Sequence, residues 1–360
     1  MDFLSADGKP KEKMTSSIFG RRRTLNDLNK SEVLFLSVGL VSLVACSGLT
    51  IERLVYLSPA NCPHLLPGQN HTIAQDQKCG AEFTFALLIF INCGFCLFHV
   101  FHGVIWERPY ELYIFIASVG VATCYCIVDF IVGIQEGLYQ NTYPFTIKLT
   151  RLVILLTVGV LDVVLACRIA WDFLRAGRFA CNVVQTYDEV LQKKCKIHFF
   201  TQSLLTFDLE FQVTLVVLIL RNGFEFNVTQ EELGLLIGGL VFTVIWIVAA
   251  NFSIRYENRP VTWAVLATSV LEPAYIIYKM VDSANILKSK NADAISTSLH
   301  YCVFIGGSLG LLIRLVTVGA LYTTKQSYGE GLNERIYGDG QFSFSTLKPG
   351  QSGTEDTSIQ

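Results

Sequence analysis

Apolar residues in this chain neither alternate with polar ones at the spacing of a strand nor mark the stripe of an amphipathic helix. They run in blocks of about 20, the length of helix that crosses ~30 Å of hydrocarbon. Eight such blocks occupy residues 33–51, 83–105, 112–134, 149–170, 203–220, 233–251, 261–281 and 302–322. A segment in lipid satisfies its own backbone groups only as a helix or within a closed barrel, and blocks of this length are helical. The pattern therefore predicts an all-α, polytopic membrane protein of about eight transmembrane helices. The fifth block is the weakest, because it is short and contains Asp208 and Glu210.

Composition supports the same class. Hydrophobic residues make up 51% of the 360 and charged residues 16%, with a mean hydropathy of +0.44, against about 25% charged in soluble domains. A water-soluble enzyme is disfavoured, and a formal net charge of −2 gives no footprint for nucleic acid. The expected partner is the lipid bilayer.

Charge asymmetry sets the expected orientation. The polar stretch ahead of Val33 carries seven Lys and Arg residues and no apolar run, so it reads as a cytoplasmic tail followed by a signal anchor rather than a cleaved signal. With an even number of spans both termini then face the cytosol, in the plasma membrane or an endomembrane. Two acceptor patterns for N-glycosylation, at Asn70 and Asn227, fall on the opposite side. Cys62 and Cys79 flank Asn70 in one outer loop, where an oxidising compartment favours a disulfide. Trp106, Tyr110, Trp171, Tyr256, Trp263 and Tyr322 collect at the cytoplasmic helix ends as an interfacial belt, and Trp246 reads as a packing residue.

A short motif recurs. Glu107-Arg108-Pro109 follows the second block and Glu257-Asn258-Arg259-Pro260 follows the sixth, with Ser118-Val119 and Ser269-Val270 each nine residues past the proline. A parallel repeat of two four-helix halves is expected: a basic tail over 1–32, a first half with its cytoplasmic linker over 33–194, a second half over 195–324, and a Gly-, Ser- and Thr-rich tail without fixed structure over 325–360. A binding site between the halves follows from that arrangement. The basic loop 172–199 reads either as an amphipathic helix on an anionic leaflet, with Val183, Val184, Val190 and Leu191 toward lipid, or as a solvated linker. It includes the sorting-type pattern Tyr187-Asp188-Glu189-Val190. This loop and the tail, with its phosphorylatable hydroxyls, are the expected contacts for cytosolic partners.

Ionisable groups inside spans are costly and are the default functional candidates. They are His99, His102, Asp129, Asp162, Arg168, Asp208, Glu210, Glu272, Lys279 and Arg314. The candidate intramembrane polar site comprises Asp129, Asp162, Asp208, Glu210, Glu272 and Arg314. Arg314 lies deep enough to require a partner among Glu272, Asp162 and Asp208. Pro273 beside Glu272 predicts a kink that frees a backbone carbonyl.

Motifs for catalysis, cofactors or metals are weak. His99 and His102 share a helix face, but the further histidines of a membrane zinc or di-iron enzyme are missing; Asp129 and Asp162 lack the Gly-x-Gly-Asp setting of an intramembrane aspartyl protease. Cys93 and Cys96 read as small packing residues. The membrane His and Asp residues resemble those of the adiponectin and progestin receptor and ceramidase superfamily, without its paired histidines on the last helix. The stretch from Glu272 through Lys279 to Ser296 and Gly307 resembles PQ-loop transporters, with Pro273 followed by Ala274 where that family has glutamine. The Glu107-Arg108-Pro109 turn and the run from Gly329 to Arg335 resemble an uncharacterised animal multi-pass family, which implies a membrane location and no particular activity. The expected function is binding or transport of a small solute, ion or lipid between the halves, by a protein that is not an enzyme. The alternatives are a membrane receptor or scaffold acting through loop and tail, and an intramembrane enzyme built on His99, His102 and Asp129.

Overall fold

The structure, a computed structural model, describes residues 15–17, 20–22, 28–56, 73–135, 142–175, 189–220, 230–288 and 294–329. Ahead of the bundle, Thr15–Ser17 and Gly20–Arg22 pair antiparallel. The other described elements are helices: α1 (Lys30–Tyr56), α2 (Ile73–Ile105), α3 (Pro109–Gln135), α4 (Thr142–Arg175), α5 (Glu189–Leu220), α6 (Gln230–Arg255), α7 (Arg259–Thr268), α8 (Leu271–Lys288) and α9 (Ala294–Gln326). Among the described residues, seven stretches are long and apolar enough to cross a membrane, one of them α7 and α8 taken together. The fold is an all-α polytopic bundle.

Helices α1 to α4 form one group, in which each packs on the next and α1 closes against α4. Phe35, Ile89, Phe115 and Ile169 fill its centre. Helices α5 to α9 pack in the same order: α5 on α6, α6 on α7, α8 on α9, with α9 closing on α5. Leu205, Trp246, Ile254 and Leu321 fill that second centre. The groups meet where α2 and α3 face α5 and α9, around Phe85, Leu88, Leu218 and Val303.

The fifth block is where the structure departs most from the apolar pattern. Helix α5 begins at Glu189, well before residue 203, so it includes Val190 and Leu191 of the expected linker and the expected boundary at 194. Its 32 residues reach about 48 Å. It is polar because it stands between α2, α3, α6 and α9: Thr201, Ser203, Asp208, Glu210, Gln212 and Thr214 are all buried in protein rather than lipid.

The block over 261–281 is divided rather than kinked at Pro273. Helix α7 ends at Thr268 and α8 starts at Leu271. Pro273 has no N–H for the Ser269 carbonyl four residues back, and the break falls there. The Ser269 N–H and hydroxyl turn back to Leu266 O, at 3.3 and 2.6 Å.

Both motif turns have the same geometry. Glu107 and Glu257 adopt φ of 51° and 49°. The next residue donates its N–H to a carbonyl five back, Arg108 to Gly103 at 2.8 Å and Asn258 to Ser253 at 3.0 Å, a Schellman-type helix end. The left-handed glutamate therefore sets the register, one residue away from the proline-to-proline match. Pro109 opens α3, whereas Arg259 opens α7 and Pro260 is second, with the Asn258 side chain accepting from Val261 N at 3.3 Å. Gly103 is required by close approach, since a Cβ there would lie 2.8 Å from Leu112 Cδ2.

Asn70, Cys62, Asn227, Tyr187, Val183, Val184 and the tail beyond 329 lie outside the described residues, as does the Cys79 side chain. Trp171, Tyr256, Trp263 and Tyr322 are exposed at one end of the bundle, with Lys325 Nζ 3.4 Å from the Trp263 ring centroid.

Candidate functional site between the helix groups

The six candidate residues do not form one site; they belong to four separate clusters. Asp129, on α3, accepts from Lys148 Nζ at 3.0 Å and from Arg151 Nη2 at 2.6 Å, both on α4. Asp162, on α4, accepts from the Ser42 hydroxyl of α1 at 2.8 Å through Oδ2, and its Oδ1 has no hydrogen-bond partner. Arg314, on α9, donates to both Asp208 of α5 and Glu272 of α8. Its expected need for a partner is thus met twice, and Asp162 is not one of the two. Trp246, expected only to pack, lies with its ring centroid 3.6 Å from the Arg314 Cζ and donates its indole N–H to Val265 O at 2.9 Å.

Glu210 belongs to the fourth cluster, which joins the two helix groups. Its Oε1 accepts from Asn92 Nδ2 at 2.9 Å, and its Oε2 accepts from the Ser118 hydroxyl at 2.7 Å. His99 Nε2 lies 3.3 Å from the same Oε2, while His99 Nδ1 lies 2.7 Å from Glu111 Oε2. Glu111 Oε1 accepts from the Ser203 hydroxyl at 3.0 Å and has His102 Nδ1 at 3.1 Å. An imidazole is thus placed between carboxylates from α3 and α5. His99 and Glu111 are 0% exposed and Glu210 1%.

A neutral imidazole has one N–H and one acceptor nitrogen. For both His99 nitrogens to bond a carboxylate oxygen, either the ring holds two protons or one acid keeps its own. The Glu111–His99–Glu210 chain therefore shares at least one proton between carboxylates of the two helix groups. Beside it, Phe98 stacks on His102 with centroids 5.1 Å apart, and Trp106 lies 4.9 Å from His102. Ahead of Ser203, in the part of α5 outside its predicted span, burial and the neighbouring Arg108 lower the His198 pKa from 6.5 to about 3. Among the described residues no group of three or more His, Cys, Asp or Glu is placed to hold a metal ion.

Sequence reasoning missed Glu111, Asn92, Ser118, Ser203, Lys148, Arg151 and Ser42. Glu111 lies just ahead of the third apolar block and carries no signal there, although a helical hairpin turning at Glu107 brings it back toward His99. Lys148 and Arg151, three apart and so on one helix face, flanked the start of the fourth block and were available as partners for Asp129.

Apolar helices of membrane-crossing length, packed around buried ion pairs, define a multi-pass integral membrane protein. The family model described as a domain of unknown function (DUF7789) matches residues 19–171 and 187–323, most of the chain. The chain belongs to that family. Comparison with curated proteins and with solved structures gives no match.

Proposed function

We propose that this protein binds or moves a small solute or ion, most simply a proton or small cation, through the contact between its two halves, without enzymatic chemistry. The observation that carries the reading is the buried Glu111–His99–Glu210 chain, contributed by α2 and α3 on one side and α5 on the other. Internal duplication belongs to the same proposal. It is supported by the shared packing order, the paired left-handed glutamates, and a family match in two segments separated near the linker. So do the cytoplasmic placement of both termini and the outward placement of the Asn70 and Asn227 acceptors and the Cys62–Cys79 pair.

The test is flux. The purified chain is reconstituted into vesicles with a pH-sensitive dye inside, and proton or cation movement is followed under an imposed gradient. Flux should fall at least about tenfold, equivalent to ~1.4 kcal/mol, in Glu210→Gln and His99→Gln. Equal flux in wild type and both variants would reject the site.

A second reading, a receptor or scaffold acting through its loop and tail, has one observation in its favour. The segment after α9 docks on the second motif turn: Gly329 N–H donates to Glu257 at 2.7 Å, Arg259 to Tyr328 O at 3.3 Å, and Thr262 Oγ1 to Tyr328 Oη at 3.2 Å. Proximity labelling from the C-terminal tail distinguishes it by recovering stable cytosolic partners without any solute dependence. For the enzyme alternative, Asp129 lies 18 residues along α3 from Glu111, about 27 Å, and is held by Lys148 and Arg151.

A further inference from the structure

The second half contains a charge imbalance that the network between the halves does not involve. Asp208, Glu272 and Arg314 are each at least nine-tenths buried, at 0%, 8% and 1% exposure. Two carboxylates face one guanidinium, and Asp208 Oδ1, Glu272 Oε1 and Arg314 Nε have no hydrogen-bond partner. Among the described residues Arg314 is the cation that pairs with both acids. Helix α6 contributes the Trp246 ring and α7 the Val265 carbonyl. Glu210, two residues from Asp208, projects to the other side of α5, because successive helical residues turn by 100°, and is held by Asn92 and Ser118. Lys279 of α8 lies 3.8 Å from Asp282 on its own helix.

An uncompensated carboxylate in such a place is strongly disfavoured. A calcium or magnesium ion would require about six or more oxygen ligands and a zinc ion about four, and two free oxygens beside a guanidinium supply neither set. A proton needs only one oxygen. The geometry points to Asp208 and Glu272 as a buried site for one exchangeable proton, held on whichever carboxyl oxygen Arg314 leaves free. The proton binds to one carboxylate oxygen as a carboxylic O–H, the site becomes neutral overall, and Arg314 keeps the other acid as its anionic partner. Gain or loss of that proton alters how tightly α5, α8 and α9 are joined.

The site does not depend on the solute-binding reading and is tested without transport. Infrared difference spectra of the full chain in lipid nanodiscs, in H2O and D2O, report protonated carboxyl groups by a C=O band that shifts on deuteration. Wild type should show this band near neutral pH and release about one proton per chain as pH is raised and the band disappears. Both Glu272→Gln and Asp208→Asn should abolish band and release together, since one remaining carboxylate is balanced by Arg314, while Glu210→Gln should leave them. A band missing from wild type at every pH, or undiminished in both variants, overturns the proposal; if neither variant folds, a band that persists in Glu210→Gln supports the site and one that is lost with Glu210 overturns it. No flux in wild type, or flux unchanged by Glu210→Gln and His99→Gln, with the band intact would count against the inter-half site only.

Discussion

The two halves close their helix rings with opposite chemistry at similar depth. In the first, α1 and α4 are tied by the Ser42 hydroxyl and Asp162. In the second, α5 and α9 are tied by Asp208 and Arg314, with Glu272 and Trp246 completing the site. Asp162 lies 13 residues before the end of α4 and Arg314 12 before the end of α9, about 20 and 18 Å from those ends. The difference follows each ring's surroundings. Helices α1 and α4 carry many exposed apolar side chains, among them Val41, Val44, Val160 and Val164, so a full ion pair there would sit close to lipid. Helix α5 is shielded by neighbours along its length and can hold charge, provided that each charge finds a partner.

The comparison is tested most severely at Arg314. Arg314→Met strands a buried carboxylate beside a second buried acid and should cost about 3–5 kcal/mol, whereas Asp162→Asn keeps an acceptor for Ser42 and should cost under ~1 kcal/mol; thermal unfolding in one detergent measures both, and equal losses would break the contrast. At the contact between halves, His99→Leu leaves Glu111 and Glu210 without their shared imidazole, and a loss of about 2–3 kcal/mol is expected, read by the same melts. The motif turns give a smaller asymmetry. Gly103→Val pushes a side chain into Leu112 and should cost about 1–3 kcal/mol, while Ser253→Ala, at the matching carbonyl of the second turn, should cost about 1 kcal/mol or less. The smallest effect is one of pH. His198 is neutral in the fold, with a pKa lowered from 6.5 to about 3, so the unfolded chain takes up its proton first as pH falls. Stability should decline through this group from pH 6.5 down toward 3 and be indifferent to it above 6.5. His198→Gln should reduce that acid slope by the uptake of one proton, seen as a flatter dependence of the melting temperature on pH.

Much of the fold was legible because lipid imposes a coarse code. Blocks of about 20 apolar residues gave the helices facing lipid, and Pro109, Pro260 and Pro273 marked turns or a break. The code fails where a helix is shielded by protein. Helix α5 reads as short and compromised because its polar residues suit a protein environment, which no single-segment hydropathy reports. The site was half legible for the same reason. Lone charges in apolar blocks marked Asp208, Glu272 and Arg314 and the need of Arg314 for a partner, but the pairings depend on which helix faces which. Hence Asp162 was grouped with residues it does not touch, and Glu111, at the edge of a block, was passed over.

The polar character of α5 has a consequence for how the chain is made. A nascent segment with Asp208 and Glu210 near its middle is a poor substrate for insertion on hydrophobicity alone, and Arg314, which neutralises Asp208, is translated only with the last helix. Translation halted before α9 would leave α5 with an acid lacking its counter-ion, exposed to quality-control proteases, whereas completion of the last helix locks the assembly. The charge balance of α5 therefore waits on synthesis of α9, while the Ser42–Asp162 tie of the first group needs only its own four helices.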